Sequence, residues 1–161
     1  MNESRYKSYC NSPCGLIELS ANEKGITSLY FVKKRSGKDQ ESEIIAECRK
    51  QLDEYFHGKR KSFSLPLDLH GTEFQIRVWN ELLKIPYGKT ISYLQLAKNL
   101  GDPKCIRAAG TANGKNPVSI IVPCHRVIGS DGSLVGYGGG IDNKRYLLEL
   151  EGALKQKELF L

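Results

Sequence analysis

"TISYLQLAKNLGDPKCIRAAGTANGKNP" runs from Thr90 to Pro117. Ser92 to Leu100 carries apolar side chains at helical spacing, Gly101-Asp102-Pro103 breaks the run, and Lys104 to Asn113 resumes it. Two helices joined by so short a turn have the spacing of a helix-turn-helix. The second helix presents Arg107 among small residues, Ala108, Ala109, Gly110 and Ala112. Small residues let a helix approach closely, either to another helix or to a nucleic-acid groove. The basic balance and Arg107 favour the groove.

Working upstream, "TEFQIRVWNELLKIPYG" from Thr72 predicts a helix whose apolar face holds Phe74, Ile76, Val78, Trp79, Leu82, Leu83 and Ile85. Trp79 reads as core. Pro86-Tyr87-Gly88 stops that helix. "GKRKSFSLPLDLHG" before it has no helical period and reads as an extended linker, centred on residues 63–71. Residues 15–21 and 26–32 are two β-prone runs around polar "NEKG", which predicts a hairpin, with Tyr6–Cys10 as a further strand. A helix follows from the N-cap Ser42 to the stop Gly58, with Ile44, Ile45, Cys48, Leu52, Tyr55 and Phe56 on one face. The expected fold is therefore α+β. A small antiparallel sheet with one helix spans residues 1–62, and a helical domain with a helix-turn-helix spans 72–161.

Downstream lies "IIVPCHRVIG", Ile120 to Gly129. Pro123 lacks a backbone donor and ends the β-like run "VSIIV", so Cys124 falls where a buried segment becomes a turn. A free thiol titrates at about 8.5 and is scarcely ionised at neutral pH. An adjacent imidazole that takes its proton corrects this, and a third polar group can orient the imidazole. Cys124 and His125 supply the first two. "SDGSLVGYGGG" (Ser130–Gly140) predicts a glycine-dense loop bending close to something, and "NKRYLLELEG" (Asn143–Gly152) a last amphipathic helix.

Composition sets the class. The chain has 161 residues, 40% of them hydrophobic and 26% charged, with a net charge of +6. That balance is compatible with a polyanionic partner or with an ordinary basic protein. No apolar run approaches the roughly 20 residues of a membrane helix, and "MNESRYKSYC" lacks the apolar core of a secretory signal. The expected setting is the cytoplasm, or the nucleus in a eukaryotic host. Five cysteines form no disulfide framework. A zinc site from Cys10, Cys14, His57 and His70 is disfavoured, because a lone C-x3-C is a weak signal.

"GTEFQIRVW", "IPYGKTISYLQLA", "RAAGTANGKNP", "IIVPCHRVIGSDG" and "GYGGG", in that order, resemble the O6-alkylguanine-DNA alkyltransferases (methylated-DNA–protein-cysteine methyltransferases). The match covers Thr72 to Gly152, and "SPCGLIELS" and "QLDEYFHGKRKSFSLPLDL" extend it more loosely upstream. The resemblance implies a ribonuclease-H-like first domain and a winged-helix-like second one. It also implies direct reversal of damage, in which the alkyl group of O6-alkylguanine, with O4-alkylthymine as a second candidate substrate, passes irreversibly to Cys124. Each chain would then act once, as a monomer on double-stranded DNA containing alkylated bases, with no cofactor.

In that scheme Cys124 is the acceptor, His125 its base through a bridging water, and Glu151 the group orienting His125. Asn116 holds the turn, and Tyr93 protonates N3 of the departing guanine. Arg107 fills the gap left by the flipped nucleotide. Ala108, Ala109, Gly110, Thr111 and Arg126 complete the DNA contact. Val127, Tyr137, Gly138 and Gly139 form the base pocket, with the backbone at Cys124 and Val127 reading the base edge. Animal relatives carry zinc ligands where Asn22 and Thr27 stand, so no metal is implied. Gly138 replaces a serine of some relatives, and Cys124 stands where non-repairing relatives carry tryptophan. The competing readings are a DNA-binding regulator or lesion-flagging protein, which would not react, and a cysteine hydrolase, which would turn over.

Overall fold

The computed structural model describes residues 4–154. The outer ends of both predicted domains, residues 1–3 and 155–161, lie outside the described residues. The first part is an antiparallel sheet in the order β1-β2-β3, formed by Tyr6–Ser12, Gly15–Ala21 and Ile26–Val32. Side-chain alternation sends Ile17, Leu19 and Ala21 of β2 to one buried face. Asn22 closes the β2–β3 turn, its Oδ1 accepting from the backbone of Lys24 (2.8 Å) and Gly25 (3.1 Å). Helix α1 (Glu43–Phe56) covers that face through Ile45, Cys48, Leu52 and Tyr55. Its start is capped by Ser42 Oγ, which accepts from Ile45 N at 3.2 Å, and it stops before Gly58 at φ +73°.

The segment after α1 runs extended along β3. Ile26 N donates to Pro66 O, and Asp68 N donates to Ile26 O, both at 2.9 Å. Gly25 is required here, because a Cβ would lie 2.6 Å from Pro66 O.

The second part begins with α2 (Glu73–Leu82), opened by a capping box between Thr72 and Gln75. Trp79 is 2% exposed and its Nε1 donates to Ala112 O at 2.9 Å, tying α2 to α4. The pair α3 (Tyr93–Asn99) and α4 (Ile106–Gly114) is joined through Gly101 and a short 3-10 turn, Pro103–Cys105. Strands β4 (Ile91–Ser92) and β5 (Val127–Ile128) pair in parallel, and α5 (Ile141–Leu150) closes the element order. One continuous core joins the two parts, from Ile17 and Leu19 to Trp79, Leu96 and Val122. No helix among the described residues is long and apolar enough to cross a membrane.

Three expectations are corrected. "VSIIV" is not a strand. Only Val118 pairs, with Leu29 of β3, through Leu29 N to Pro117 O (2.8 Å) and Ser119 N to Leu29 O (3.2 Å). The chain then turns at Ile120. Leu83 leaves the apolar face and is 43% exposed, because α2 ends one residue earlier. Helix α5 starts at Ile141 instead of Asn143, behind Gly140 at φ +96°.

Candidate active site

The route to Cys124 is a sequence of tight turns. Ile120 has φ +72°, and Ile121 N donates to Ser119 O at 2.8 Å, closing a three-residue γ-turn. A β-branched residue at positive φ stores strain of about 1–3 kcal/mol, and such strain persists only where the surroundings over-determine it. Here burial of Ile120 (1% exposed) and the staple of Asn116 do so. Asn116 Nδ2 donates to Val122 O at 2.7 Å while its Oδ1 accepts from Val118 N at 2.9 Å. Pro123, at φ −83° and ψ 64°, sits at the centre of an inverse γ-turn closed by Cys124 N to Val122 O at 2.8 Å. Cys124, His125 and Arg126 then form one 3-10 turn.

Asn116→Ala would leave the buried Val118 N–H unpaired and Val122 O with the Cys124 N–H as its remaining donor. At roughly 1–3 kcal/mol for a stranded polar group, chemical denaturation should show a loss of about 1–3 kcal/mol. A loss below about 0.5 kcal/mol would mean the staple is dispensable.

Behind the thiol sits a charge relay. His125 is fully buried, and its Nε2 lies 2.8 Å from Glu151 Oε2. Donation to a carboxylate places the proton on Nε2, so Nδ1 keeps a lone pair, and Nδ1 has no partner within the protein. Burial holds the imidazole below its usual pKa against the pull of Glu151, so it rests neutral. Glu151 also accepts from Arg126 Nε (2.8 Å) and Nη2 (3.0 Å) and from the Tyr55 hydroxyl (2.6 Å). Burial would raise the Glu151 carboxyl, but these hydrogen bonds and the neighbouring charges outweigh it and hold the group down at about 2. Burial likewise pushes the Cys124 thiol up, partly offset by Asn116 and then by Lys144. At rest the pair is therefore a neutral thiol beside a neutral base.

Cys124 opens onto a cavity of about 100 Å³ lined by Asn113, Asn116, Ser119, the loop Gly136–Gly139 and, from β3, Tyr30 and Phe31. Phe31 and Tyr137 meet edge to face at 6.1 Å. Gly139 is dictated by that contact, since a Cβ would lie 2.5 Å from Phe31. Among the described residues, the buried side-chain atoms without a partner are Asn113 Oδ1, His125 Nδ1 and the Tyr137 hydroxyl, all at this site. Orphaned buried polar atoms are rare. Their gathering around one cysteine marks where a polar ligand is handled. A larger groove of about 770 Å³ lies between β1 and α1, with Cys10 but without Cys124. No cluster of three His, Cys, Asp or Glu side chains in metal-binding geometry occurs among the described residues.

A family model described as "6-O-methylguanine DNA methyltransferase, DNA binding domain" matches residues 73–153, and its "ribonuclease-like domain" counterpart matches residues 5–69. The chain belongs to the O6-methylguanine-DNA methyltransferase family. A methylated-DNA–protein-cysteine methyltransferase of Methanosarcina acetivorans is 46% identical over 154 residues, covering 92% of this chain and 99% of its own. The protein of that name from Mycobacterium leprae is 49% identical over 146 residues, 88% of each chain. A crystal structure of Mycobacterium tuberculosis OGT in complex with DNA has a TM-score of 0.83 at 46% identity, covering 90% of this chain and 91% of that one.

Within this methyltransferase fold, the residues named from sequence divide into groups. Cys124, His125, Glu151 and Asn116 gather as described. Tyr93 heads α3, and its hydroxyl donates to Val135 O at 3.1 Å, pinning the glycine loop. Tyr137, Gly138 and Gly139 line the cavity, but Val127 is fully buried and does not. Arg107, Ala108 and Thr111 are exposed along α4, with Gly110 half-buried against the Tyr93 ring.

Two proposed DNA contacts are corrected. Ala109 is fully buried because it lies on the inward stripe of α4 with Ala112 and Asn113. Arg126 is 7% exposed, its guanidinium spent on Glu151 and on Ile85 O at 2.7 Å. Sequence reading missed Tyr55, Tyr30, Phe31, Asn113 and Lys144. No local signal marked them, because each meets the site only through tertiary packing.

Proposed function

We propose that this methyltransferase repairs O6-alkylguanine in double-stranded DNA by moving the alkyl group to Cys124, once per chain. The observation that carries the reading is the buried Cys124 followed by His125, with the imidazole Nε2 tied to Glu151 and Nδ1 unpaired.

In the proposed sequence the thiol proton passes to His125 Nδ1 through one water, and Glu151 stabilises the imidazolium that results. Sulfur attacks the alkyl carbon opposite O6, the C–O6 bond breaks, and its electron pair stays with the guanine. Tyr93, at the cavity's edge, gives N3 of that guanine a proton, and the phenolate left behind takes one back from solvent. The displacement is redox-neutral and driven by sulfur's own electron pair. The thioether formed does not reverse, so the chain is spent. A cytoplasmic setting suits this chemistry, since reduced thiols persist there.

Access requires movement. The cavity of about 100 Å³ falls well below the roughly 300–1,000 Å³ of a site that takes a small molecule. The glycine loop must therefore lift for the flipped base, releasing Tyr93 from Val135 O. Extrusion costs a few kcal/mol, less for a damaged base that pairs poorly. Arg107 on exposed α4 would fill the vacated stack, and Lys98, Lys104 and Lys115 nearby are exposed for phosphates.

Arg107→Ala should slow repair of duplex DNA by roughly tenfold or more, about 1.4 kcal/mol of the flipping step, and leave reaction with free O6-benzylguanine unchanged. Single-turnover rates on the two substrates check this. Equal losses on both would make Arg107 structural.

A further inference from the structure

Among the described residues, Lys144 is the one lysine that the fold buries completely. It sits mid-way along α5, in "DNKRY", where a sequence reader expects a solvated charge. Its Nζ donates to Val135 O at 2.8 Å and stands 5.8 Å from the Tyr93 ring centroid. No Asp or Glu oxygen lies within salt-bridge distance of it among the described residues. A cation held out of water without a counter-charge is costly, and proteins neutralise or pair such groups. Burial does draw its pKa down, to about 8, and the neighbouring Cys124 works against that fall. At neutral pH the ammonium is therefore still mostly protonated.

The elements packed around Lys144 supply few titratable groups. The 3-10 turn brings Cys124 and His125, α3 brings Tyr93, and the glycine loop brings Tyr137. The carboxylate of Glu151, seven residues further on, is already occupied by Arg126 and His125. Of these groups the cysteine is the one that becomes an anion before attack, whereas Tyr93 gives up its proton only to the departing guanine.

We propose that Lys144 is the counter-cation of the Cys124 thiolate. The proposal rests on the alkyl-transfer reading above and adds a residue to it. When the thiol proton moves from Sγ to His125 Nδ1, one neutral pair becomes a thiolate and an imidazolium. Glu151 faces the positive product and Lys144 the negative one, so both charges form against partners already in place. The bond to Val135 O gives the same ammonium a second duty, holding the loop that covers the thiol. When sulfur bonds to the alkyl carbon its charge disappears, and the proton count of Lys144 does not change.

The test follows the thiolate itself, by ultraviolet absorbance against pH, taking Cys124→Ala as the background for the other four cysteines. Lys144→Gln should raise the Cys124 pKa by about 1 or more, as loss of a nearby cation does. It should slow transfer at pH 7 roughly tenfold, with the gap closing at alkaline pH, and Lys144→Arg should restore most of the rate. An unshifted thiol titration, or a rate deficit that is constant with pH, would overturn the proposal and leave Lys144 as a strut for the loop. If Lys144→Gln does not fold, the reciprocal effect decides. Lysine NMR titration should show Lys144 deprotonating at lower pH in Cys124→Ser than in wild type, and identical titrations would overturn the pairing. Wild-type protein that transfers no alkyl group, yet whose thiol shifts on Lys144→Gln, would remove the repair reading and leave the pairing standing.

Discussion

Cys124→Ala is expected to abolish alkyl transfer and leave affinity for duplex DNA within a few-fold of wild type. The two properties come from different parts of the chain. Transfer needs a nucleophilic sulfur at the end of the Asn116-stapled turns, and no neighbouring group in that cavity replaces it. Affinity for a duplex comes mainly from counterion release by lysines and arginines on the surface, and Cys124 is 5% exposed. Transfer is checked with DNA carrying labelled O6-methylguanine, and binding by titration at fixed salt. Residual transfer in Cys124→Ala would place the acceptor elsewhere. A large loss of binding would mean that the thiol shapes the surface around it.

Glu151→Gln should be the most damaging change to stability, and it should also alter the pH profile. From sequence, the amide looks like a shape-preserving way to remove the relay's negative end. The structure shows that Glu151 is also the sole carboxylate of a buried hub that takes Arg126, His125 and the Tyr55 hydroxyl. Breaking a buried ion pair from one side costs about 3–5 kcal/mol, because the other charge stays behind unpaired. Glu151 also caps the C-terminus of α5, where the helix dipole disfavours an anion. The bonds from Arg126 and His125 must outweigh that as well.

The linkage has a definite sign. The folded-state pKa is depressed, from 4.5 to about 2. The stability tied to it is thus present above pH 4.5 and lost as pH falls through about 2. At about 1.4 kcal/mol for each pH unit it is worth on the order of 3 kcal/mol. Wild type should lose this increment on acidification and Glu151→Gln should not, so their denaturation midpoints should converge towards pH 2. In the range where both variants fold, the transfer defect should shrink as pH rises and the thiolate forms without His125. Midpoints that stay parallel down to pH 2 would remove Glu151 from the hub, and a pH-independent rate ratio would remove it from the relay.

Much of the fold was legible because its signals are local. Ser42 and Thr72 cap the helices that their positions announced, and the Gly101-Asp102-Pro103 break separates α3 from α4. Trp79 lies in the core as its helical face implied. The failures have non-local causes. "VSIIV" has a strand's composition, but its backbone partners are one residue of β3 and the side chain of Asn116, so it folds as turns. Arg126 and Lys144 are charged residues, and sequence reads both as surface. Their burial is set by Glu151, 25 residues from Arg126, and by a loop carbonyl at Val135. The wall that Tyr30 and Phe31 give the cavity depends on β3 docking beside the glycine loop. Nothing within either segment encodes that contact.

The central claim is that Cys124 accepts one alkyl group and is then spent. Excess DNA carrying isotopically labelled O6-methylguanine should be incubated with the protein to completion, and the digested chain read by peptide mass. The expected result is one methyl per chain, on the peptide that carries Cys124, with no further reaction when fresh DNA is added. Label on another residue, or more than one DNA repaired per chain, would contradict it.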